Sequence, residues 1–213
     1  ADTLDDSVDA GRLRQSDDVK VVDNRTGTVL HDPPHWAELP LRLERLCAFA
    51  NADEGSAPFV HPVVRAILLH FMIGYDHPFA DGNGRTARAL FYWAMARSGY
   101  WLMEFLSISQ FLRQAPAQYV TAYLHTETDG GDTTYFILHQ LGTIRKSIEA
   151  LYAYLARKTN EQKDAQRLLA GSPALRGRLN HRQSTLLTHA LRNPGEAYRV
   201  SAHQQFHSVV YQT

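Results

Sequence analysis

Residues 61–99 read "HPVVRAILLHFMIGYDHPFADGNGRTARALFYWAMARSG", two apolar segments with a polar break between them. The first segment repeats paired apolar residues every four positions, which predicts a buried helix that Pro78 ends. The second begins near Gly84 and is apolar almost all round after its first turn, which predicts a core helix that stops near Gly99. The break at His77–Arg88 holds a histidine, an aspartate, glycines and arginines, and we expect a functional site there.

The glycines and arginines of the break are suited to a polyphosphate. Gly82 and Gly84 flank Asn83, so the backbone can take positive φ and present successive N–H groups to one concavity. The helix that follows adds its unpaired N–H groups and the positive end of its dipole. Arg85 and Arg88 share one face of its first turn and can reach back over the concavity as bidentate donors.

The other polar residues of the break indicate the chemistry. A carboxylate at Asp81 would be repelled by phosphate unless a cation lay between them, and Mg²⁺ commonly joins one or two carboxylates to substrate phosphates. His77, with an ordinary pKa near ~6.5, can accept a proton as the neutral imidazole. Phe79 is predicted to anchor the loop. Each residue alone would more often be structural, but their combination predicts nucleotidyl or phosphoryl transfer to a hydroxyl.

Composition and the remaining motifs exclude several classes of protein. The 213 residues carry 22 Lys+Arg and 22 Asp+Glu, so no overall basic field favours nucleic acid, and the single Cys47 excludes a disulfide framework and a CxxC metal site. Neither a signal peptide nor a run of ~20 apolar residues occurs, and we expect a cytoplasmic protein without a membrane partner. A Walker loop and HExxH are absent, "GNGRTA" lacks the third glycine of a dinucleotide motif, and His70 is predicted to be a core histidine.

Outside the central stretch, the pattern predicts mainly helices. Residues 1–18 are polar without a period, and we expect a loose start. β-Branched residues on both sides of "DNRTG" predict a hairpin at Val19–Leu30. Helical spacing returns where Leu39, Leu43, Leu46 and Phe49 share a face, and again at Ile108–Leu124 and Thr134–Arg157.

The C-terminal part has a different composition. Residues 158–179 are charged and small, which predicts a connecting helix and linker after a core of residues 1–157. Residues 180–213 contain two short helical patterns separated by "NPGEAYRV". This spacing predicts a partial winged-helix segment that could contact DNA if complete, and a solvated helical tail is an equally weighted alternative.

At nine positions the break matches HPFx(D/E)GNGRxxR, and the chain therefore resembles the Fic family of AMP-transferring enzymes. The matching residues are His77, Pro78, Phe79, Asp81, Gly82, Asn83, Gly84, Arg85 and Arg88. The resemblance extends over about residues 19–157. It implies a mainly helical bundle with a small β-hairpin, the flap, in agreement with the pattern above.

By this resemblance, AMP passes from ATP to a Ser, Thr or Tyr hydroxyl of a target protein and pyrophosphate is released. His77 would take the hydroxyl proton and Asp81 would bind Mg²⁺. The implied phosphate contacts are Asn83 for the α-phosphate, Gly82 and Gly84 for the nest, and Arg85 and Arg88 for the β- and γ-phosphates. The flap, which pairs with the target backbone, would comprise Val21, Val22, Thr26, Gly27, Thr28 and Val29. Tyr119 and Tyr123 are candidates for the adenosine pocket.

Other functional hypotheses are also compatible with the sequence. A related branch transfers phosphate with lysine in place of the second motif glycine, and Gly84 argues against it. Another nucleotide or diphosphate-linked donor, or a nucleotide-sensing DNA-binding regulator, is also compatible with the sequence, as is a homodimer. The inhibitory pattern (S/T)xxxE(G/N) of many Fic proteins has no match, since "SVDAG" at Ser7 lacks the glutamate. We therefore expect self-modification, with Thr26 and Thr28 as candidate targets.

Overall fold

A computed structural model describes residues 11–23, 26–52, 55, 57–171, 178–193, 195–199 and 201. The strands are β1 (Val21–Val22) and β2 (Val29–His31), and the helices are α1 (Leu39–Asn51), α2 (Pro62–Asp76), α3 (Asn83–Arg97), α4 (Ile108–Gln114), α5 (Pro116–Thr128), α6 (Thr134–Gly171) and α7 (His181–Arg192). The predicted fold class, mainly α with a small β-hairpin, is confirmed. Over these same residues, no helix has the length and apolar character needed to cross a bilayer.

The chain divides into two compact units, residues 1–149 and 150–213. The first unit contains the hairpin, α1–α5 and the start of α6. The second contains the rest of α6 and α7, which begins with a capping box between Asn180 and Gln183. The second helical pattern of the predicted winged-helix segment falls in residues 202–213, outside the described residues. That segment, the domain boundaries at 157 and 179, and the DNA and homodimer contacts stay predictions.

Helices α2 and α3 form the centre of the first unit, with α1 packed on α2. Ile67 of α2 and Phe91 of α3 are fully buried, as is Phe136 of α6. Helix α3 is a core helix as predicted, but its apolar surface is not buried on every side, since Trp93 is 43% exposed. The exposed side also includes Ala89 and Ala96, and a helix can expose alanine at little cost because its apolar surface is small.

Two predicted helices have different bounds in the structure. The pattern at Ile108–Leu124 is two helices, because Pro116 lacks an N–H and its ring excludes the preceding residue from a continuous helix. Ala115, between them, has φ −134° and ψ 59°. Helix α6 continues past Arg157 to Gly171. Side-chain pairs one turn apart accompany this extension, such as Lys158 Nζ to Glu161 Oε2 at 2.8 Å.

Candidate active site

His77 caps the C-terminal end of α2 in a left-handed conformation, with φ 41° and ψ 58°. Its backbone N–H donates to Ile73 O at 3.1 Å. Its Nδ1 contacts Gly74 O. A carbonyl oxygen can only accept, so Nδ1 carries the hydrogen and Nε2 of the neutral ring has the lone pair. A non-glycine residue in this region is strained by roughly 1–3 kcal/mol and persists where its surroundings fix it.

The surroundings of His77 keep the imidazole neutral. Burial lowers the pKa of His77 below its usual value, the hydrogen bond to Gly74 raises it, and the charges of His31 and Arg14 lower it further. The net direction is downward. At neutral pH the ring is therefore a base with its proton-accepting Nε2 unprotonated.

Arg14 clamps the end of α2, so the expectation of a loose start is wrong at this residue. Arg14 is only 5% exposed. Its backbone N–H donates to Pro78 O at 2.9 Å, and its Nε donates to His77 O at 2.8 Å. Its Nη2 donates to Pro34 O and reaches Asp76 O at 3.5 Å. The sequence gives no sign of this role, since Arg14 lies in a polar segment without a period.

A second arginine fixes the same helix end through a buried carboxylate. Asp76 is fully buried, and its Oδ1 accepts from Arg42 Nε at 2.8 Å and lies 2.7 Å from Arg42 Nη2. Burial raises the pKa of Asp76, while Arg42 opposes the rise. Arg42 lies on α1, so this pair joins α1 to the residue next to His77. Neither residue was singled out by sequence reasoning.

The loop after His77 turns into α3 at Gly82, whose φ of 86° suits glycine. Asn83, the first residue of α3, is buried. Its Oδ1 accepts from Phe79 N at 2.9 Å, and its Nδ2 donates to Phe79 O at 2.8 Å. The side-chain amide therefore staples the loop, and a contact from Asn83 to the α-phosphate stays a prediction. The first N–H groups of α3 have no acceptor within the helix, and their use as an anion nest stays a prediction.

Asp81 lies at the mouth of this nest. Its Oδ1 accepts from Gly82 N at 2.5 Å, and its Oδ2 lies 2.5 Å from Arg85 Nη2. The two side chains are 37% and 43% exposed. A partly exposed carboxylate beside an anion nest fits a magnesium ion that is shared with phosphate oxygens. Among the described residues, no group of three or more His, Cys, Asp and Glu could hold a metal ion by themselves.

Arg88 lies over the start of α3 because Gly84 leaves room for it. A Cβ at Gly84 would lie 3.2 Å from Arg88 Nη1, closer than most side-chain contacts. The charge of Arg88 helps to lower the pKa of His70, and it opposes the rise that burial causes in the pKa of Tyr92 and of Tyr119. A larger residue at position 84 would therefore move this arginine.

One cleft joins the two halves of the motif, with a volume of about 180 Å³. Its lining includes Val21, His77, Gly84, Arg88, Tyr119, Tyr123 and Glu127. The structure thus brings the predicted base, one predicted phosphate ligand and the first flap strand together. Thr26 and Thr28 lie at the exposed hairpin turn, where their hydroxyl oxygens are 2.9 Å apart.

Tyr119 and Tyr123 line the cleft, but their hydroxyls make contacts within the helical core. Tyr119 Oη lies 3.1 Å from His70 Nε2 and 3.3 Å from Tyr123 Oη. The Tyr123 ring stacks on Phe71 with centroids 4.9 Å apart, and its hydroxyl lies so close to Gly74 that a Cβ there would overlap it. Burial raises the pKa of both tyrosines. Contact of these tyrosines with adenosine stays a prediction.

His70 is a core histidine, as predicted. It is fully buried, and burial, with smaller contributions from Arg88 and His139, lowers its pKa to about 3. It is neutral across the physiological range.

The family model described as "Fic/DOC family" matches residues 1–95. The resemblance drawn from the sequence motif is thereby confirmed over residues 1–95, which are similar to the Fic family.

The chain is also similar to two named relatives over part of its length and to a solved structure in fold. The Protein adenylyltransferase Fic of Drosophila sechellia and that of Drosophila melanogaster are each 40% identical over 70 residues, 33% of this chain. The match spans 14% of the length of each relative. A Fic family protein from Desulfovibrio desulfuricans G20 has a similar fold, with a TM-score of 0.57 at 22% identity over 86% of this chain and 53% of that one.

Proposed function

We propose that the protein is an adenylyltransferase that moves AMP from ATP to a Ser, Thr or Tyr hydroxyl of a target protein. One observation carries the proposal: His77, with Nδ1 committed to Gly74 O, lines the same cleft as Arg88. A base with a fixed tautomer and a cation for phosphate thus meet in one space. The name of the Drosophila relatives supports AMP as the group transferred.

The transfer is a proton abstraction joined to an in-line displacement. His77 Nε2 takes the proton of the target hydroxyl, whose oxygen then bonds to the α-phosphorus of ATP. The bond from the α-phosphorus to the oxygen that bridges to the β-phosphorus breaks, and pyrophosphate leaves with that electron pair. His77 then gives up its proton to solvent. Burial supports this cycle, because it returns the imidazole to the neutral form.

The start of α3 holds the triphosphate. Its N–H groups and helix dipole stabilise the negative charge, and Arg88 and Arg85 bind the outer oxygens. Asp81 would hold Mg²⁺ together with phosphate oxygens, and the ion when bound neutralises phosphate charge. Binding of ATP requires Arg85 to exchange its contact with Asp81 for phosphate, and both side chains are exposed enough to move.

The hairpin is the proposed docking strand for the target. β1 and β2 are antiparallel, and Val22 and Val29 are 44% and 49% exposed. A target segment that adds to the hairpin as a further strand would bring its hydroxyl to the cleft beside Val21. Backbone pairing gives little side-chain selectivity, which is consistent with any of the three hydroxyl residues.

Incubation with ATP labelled separately at the α- and γ-phosphates tests the proposal, with intact-protein mass as the second readout. AMP transfer gives α-label and a mass gain of one AMP on the protein or on an added target. Label from the γ position alone would assign the protein to phosphate transfer and refute the proposal. We expect the first result, because lysine at position 84, typical of the phosphotransfer branch, would crowd Arg88 in this structure.

A further inference from the structure

His31, at the end of β2, connects the flap to two helices of the cleft. Its Nε2 lies 2.6 Å from Tyr75 O on α2, and its Nδ1 lies 2.6 Å from Glu127 Oε1 on α5. His31 pairs with Val21 in the register of the hairpin. Contacts that hold the His31 ring in place therefore also hold the two paired strands of the hairpin in place. Neither His31 nor Glu127 belongs to the sequence motif, and both line the cleft with His77.

The two contacts of His31 require two protons. The carbonyl oxygen of Tyr75 can only accept, so Nε2 carries a hydrogen. At 2.6 Å, Nδ1 and the Glu127 oxygen form an ion-pair contact that needs one more proton on the pair, since two lone pairs would otherwise repel each other. The contact therefore exists with that proton and becomes repulsive without it.

We propose that His31 and Glu127 form a protonated latch that holds the flap against the cleft and releases it when the shared proton is lost at higher pH. The proposal depends on the proposed function in one respect: the closed flap would serve to align a target strand with His77. His31 and Glu127 are positioning residues, since neither has to touch the reacting atoms.

The groups around His31 leave Glu127 as its direct charge partner. From the end of α2, Asp76 is held by Arg42, and the His77 ring centroid is 6.3 Å from that of His31. From the N-terminal segment, Arg14 is engaged with backbone carbonyls and Asp17. Burial raises the pKa of Glu127, and His31 opposes the rise.

Two substitutions at Glu127 separate a protonated latch from simple packing. Glu127→Gln keeps the shape and supplies an N–H, which can donate to unprotonated Nδ1 of neutral His31. This variant should hold the flap at high pH, where the parent releases it, and should also hold it at low pH, because the amide can flip and its oxygen can accept from Nδ1–H. Glu127→Leu removes the contact and should loosen the flap at every pH. Asp129→Asn is the control, because it removes a nearby charge whose partner is the Tyr135 hydroxyl.

NMR on the full chain tests the latch without any transfer assay. In the parent at a pH where the flap is held, the ¹⁵N shifts of His31 should show Nε2 protonated and Nδ1 bound to the proton of the pair, and in Glu127→Gln at high pH Nδ1 should only accept. Amide exchange of residues 29–31, corrected for the intrinsic effect of pH, should be about tenfold faster in Glu127→Leu than in the parent. Identical pH dependence of flap protection in the parent and Glu127→Gln would overturn the proposal, as would an Nδ1 in the parent that binds no proton while the flap is held.

The AMP-transfer assay is an independent test of the latch. If AMP transfer occurs, its loss on the alkaline side should coincide with flap release in the parent and Asp129→Asn, and Glu127→Gln should lack that loss. If no transfer is detected while the NMR results hold, the proposed function fails and the latch stands. If transfer occurs but its alkaline loss is the same in the parent and Glu127→Gln, the latch has no role in the reaction.

Discussion

The end of α2 and the start of α3 border the same cleft and offer opposite chemical groups. At the end of α2, carbonyl oxygens collect: Gly74 O contacts His77 Nδ1, Tyr75 O contacts His31, and His77 O accepts from Arg14. At the start of α3, the first N–H groups have no acceptor within the helix, and Arg88 Nη1 lies close to Gly84. The end of α2 is therefore a set of hydrogen-bond acceptors, the acceptor terminus, and the start of α3 is a set of hydrogen-bond donors, the donor terminus.

This difference divides the work of the proposed reaction. Acceptors at the end of α2 orient protonated nitrogens, and one of them leaves His77 Nε2 free to take a proton. Donors at the start of α3 attract phosphate. The two termini need different support as well, because the first requires buried cations such as Arg14 and the second requires a small residue at position 84. Variants at each terminus should therefore fail in different ways.

The largest effect is expected for His77→Ala at the acceptor terminus. AMP transfer should fall by roughly 10²–10⁴-fold, the usual contribution of a general base. ATP affinity should change by less than about twofold, because the phosphates bind at the other terminus. Labelled transfer and isothermal titration measure the two quantities.

His125→Ala is the matched control for this experiment, since His125 is exposed and packs against Tyr135 outside the cleft. It should leave transfer unchanged. Substantial transfer by His77→Ala would remove His77 from the role of base.

The second effect is expected for Arg14→Lys, which keeps the charge but loses the forked set of donors. The buried carbonyls of His77 and Pro34 would lose partners, and the free energy of unfolding should fall by roughly 2–4 kcal/mol. Transfer by the folded protein should fall about tenfold or more, because the His77 ring would shift. Denaturant unfolding and transfer assays at a temperature where the variant is folded provide the measurements.

Arg12→Lys, two residues away and exposed, should match the parent in both measurements. An Arg14→Lys variant with parental stability and rate would show that the acceptor terminus does not depend on this clamp.

The sequence predicted the donor terminus better than the acceptor terminus. The motif placed Gly82, Gly84 and Arg88 at a helix start, because glycine and arginine at fixed spacing have direct backbone and charge consequences. At the acceptor terminus it placed His77 alone. Arg14 and Arg42 come from distant polar segments, and no local period distinguishes a buried arginine on carbonyl oxygens from a solvated one.

The same limit applies to the walls of the cleft. Tyr119 and Tyr123 line the cleft, and the sequence could not show that their hydroxyls contact each other and His70. His31 precedes a turn-rich segment and Glu127 lies near a helix end, positions where polar residues are common. Their contact depends on tertiary packing of the hairpin against α5, which local pattern does not contain.

The third effect is expected at the donor terminus. Asp81→Asn should raise the magnesium concentration needed for half-maximal transfer by about tenfold, because one anionic ligand is lost. ATP binding in the presence of chelator should not weaken, since the substitution removes a charge that repels phosphate and frees Arg85. Magnesium titrations of transfer and calorimetry with chelator give the comparison, and Asp18→Asn, which alters an exposed carboxylate elsewhere, is the control. A magnesium titration that overlays that of the parent would refute the bridging role.

The smallest effect is expected on the acid side of the pH profile of AMP transfer. The experiment compares His77 with His70, which lie in the same α2–loop segment. Transfer requires neutral His77, and burial lowers the pKa of His77, so transfer should persist as pH falls past about 6.5 and be lost only below it. His70, with its pKa lowered to about 3, takes no part in transfer, and His70→Gln should leave this acid limb in place. The folded state keeps both rings neutral while the unfolded chain protonates them, so the free energy of unfolding should decrease as pH falls below about 6.5, and His70→Gln should reduce that slope. An acid limb at or above the ordinary histidine value would mean that His77 is solvated in the working enzyme, and the acceptor terminus would then lack the burial on which its proposed chemistry depends.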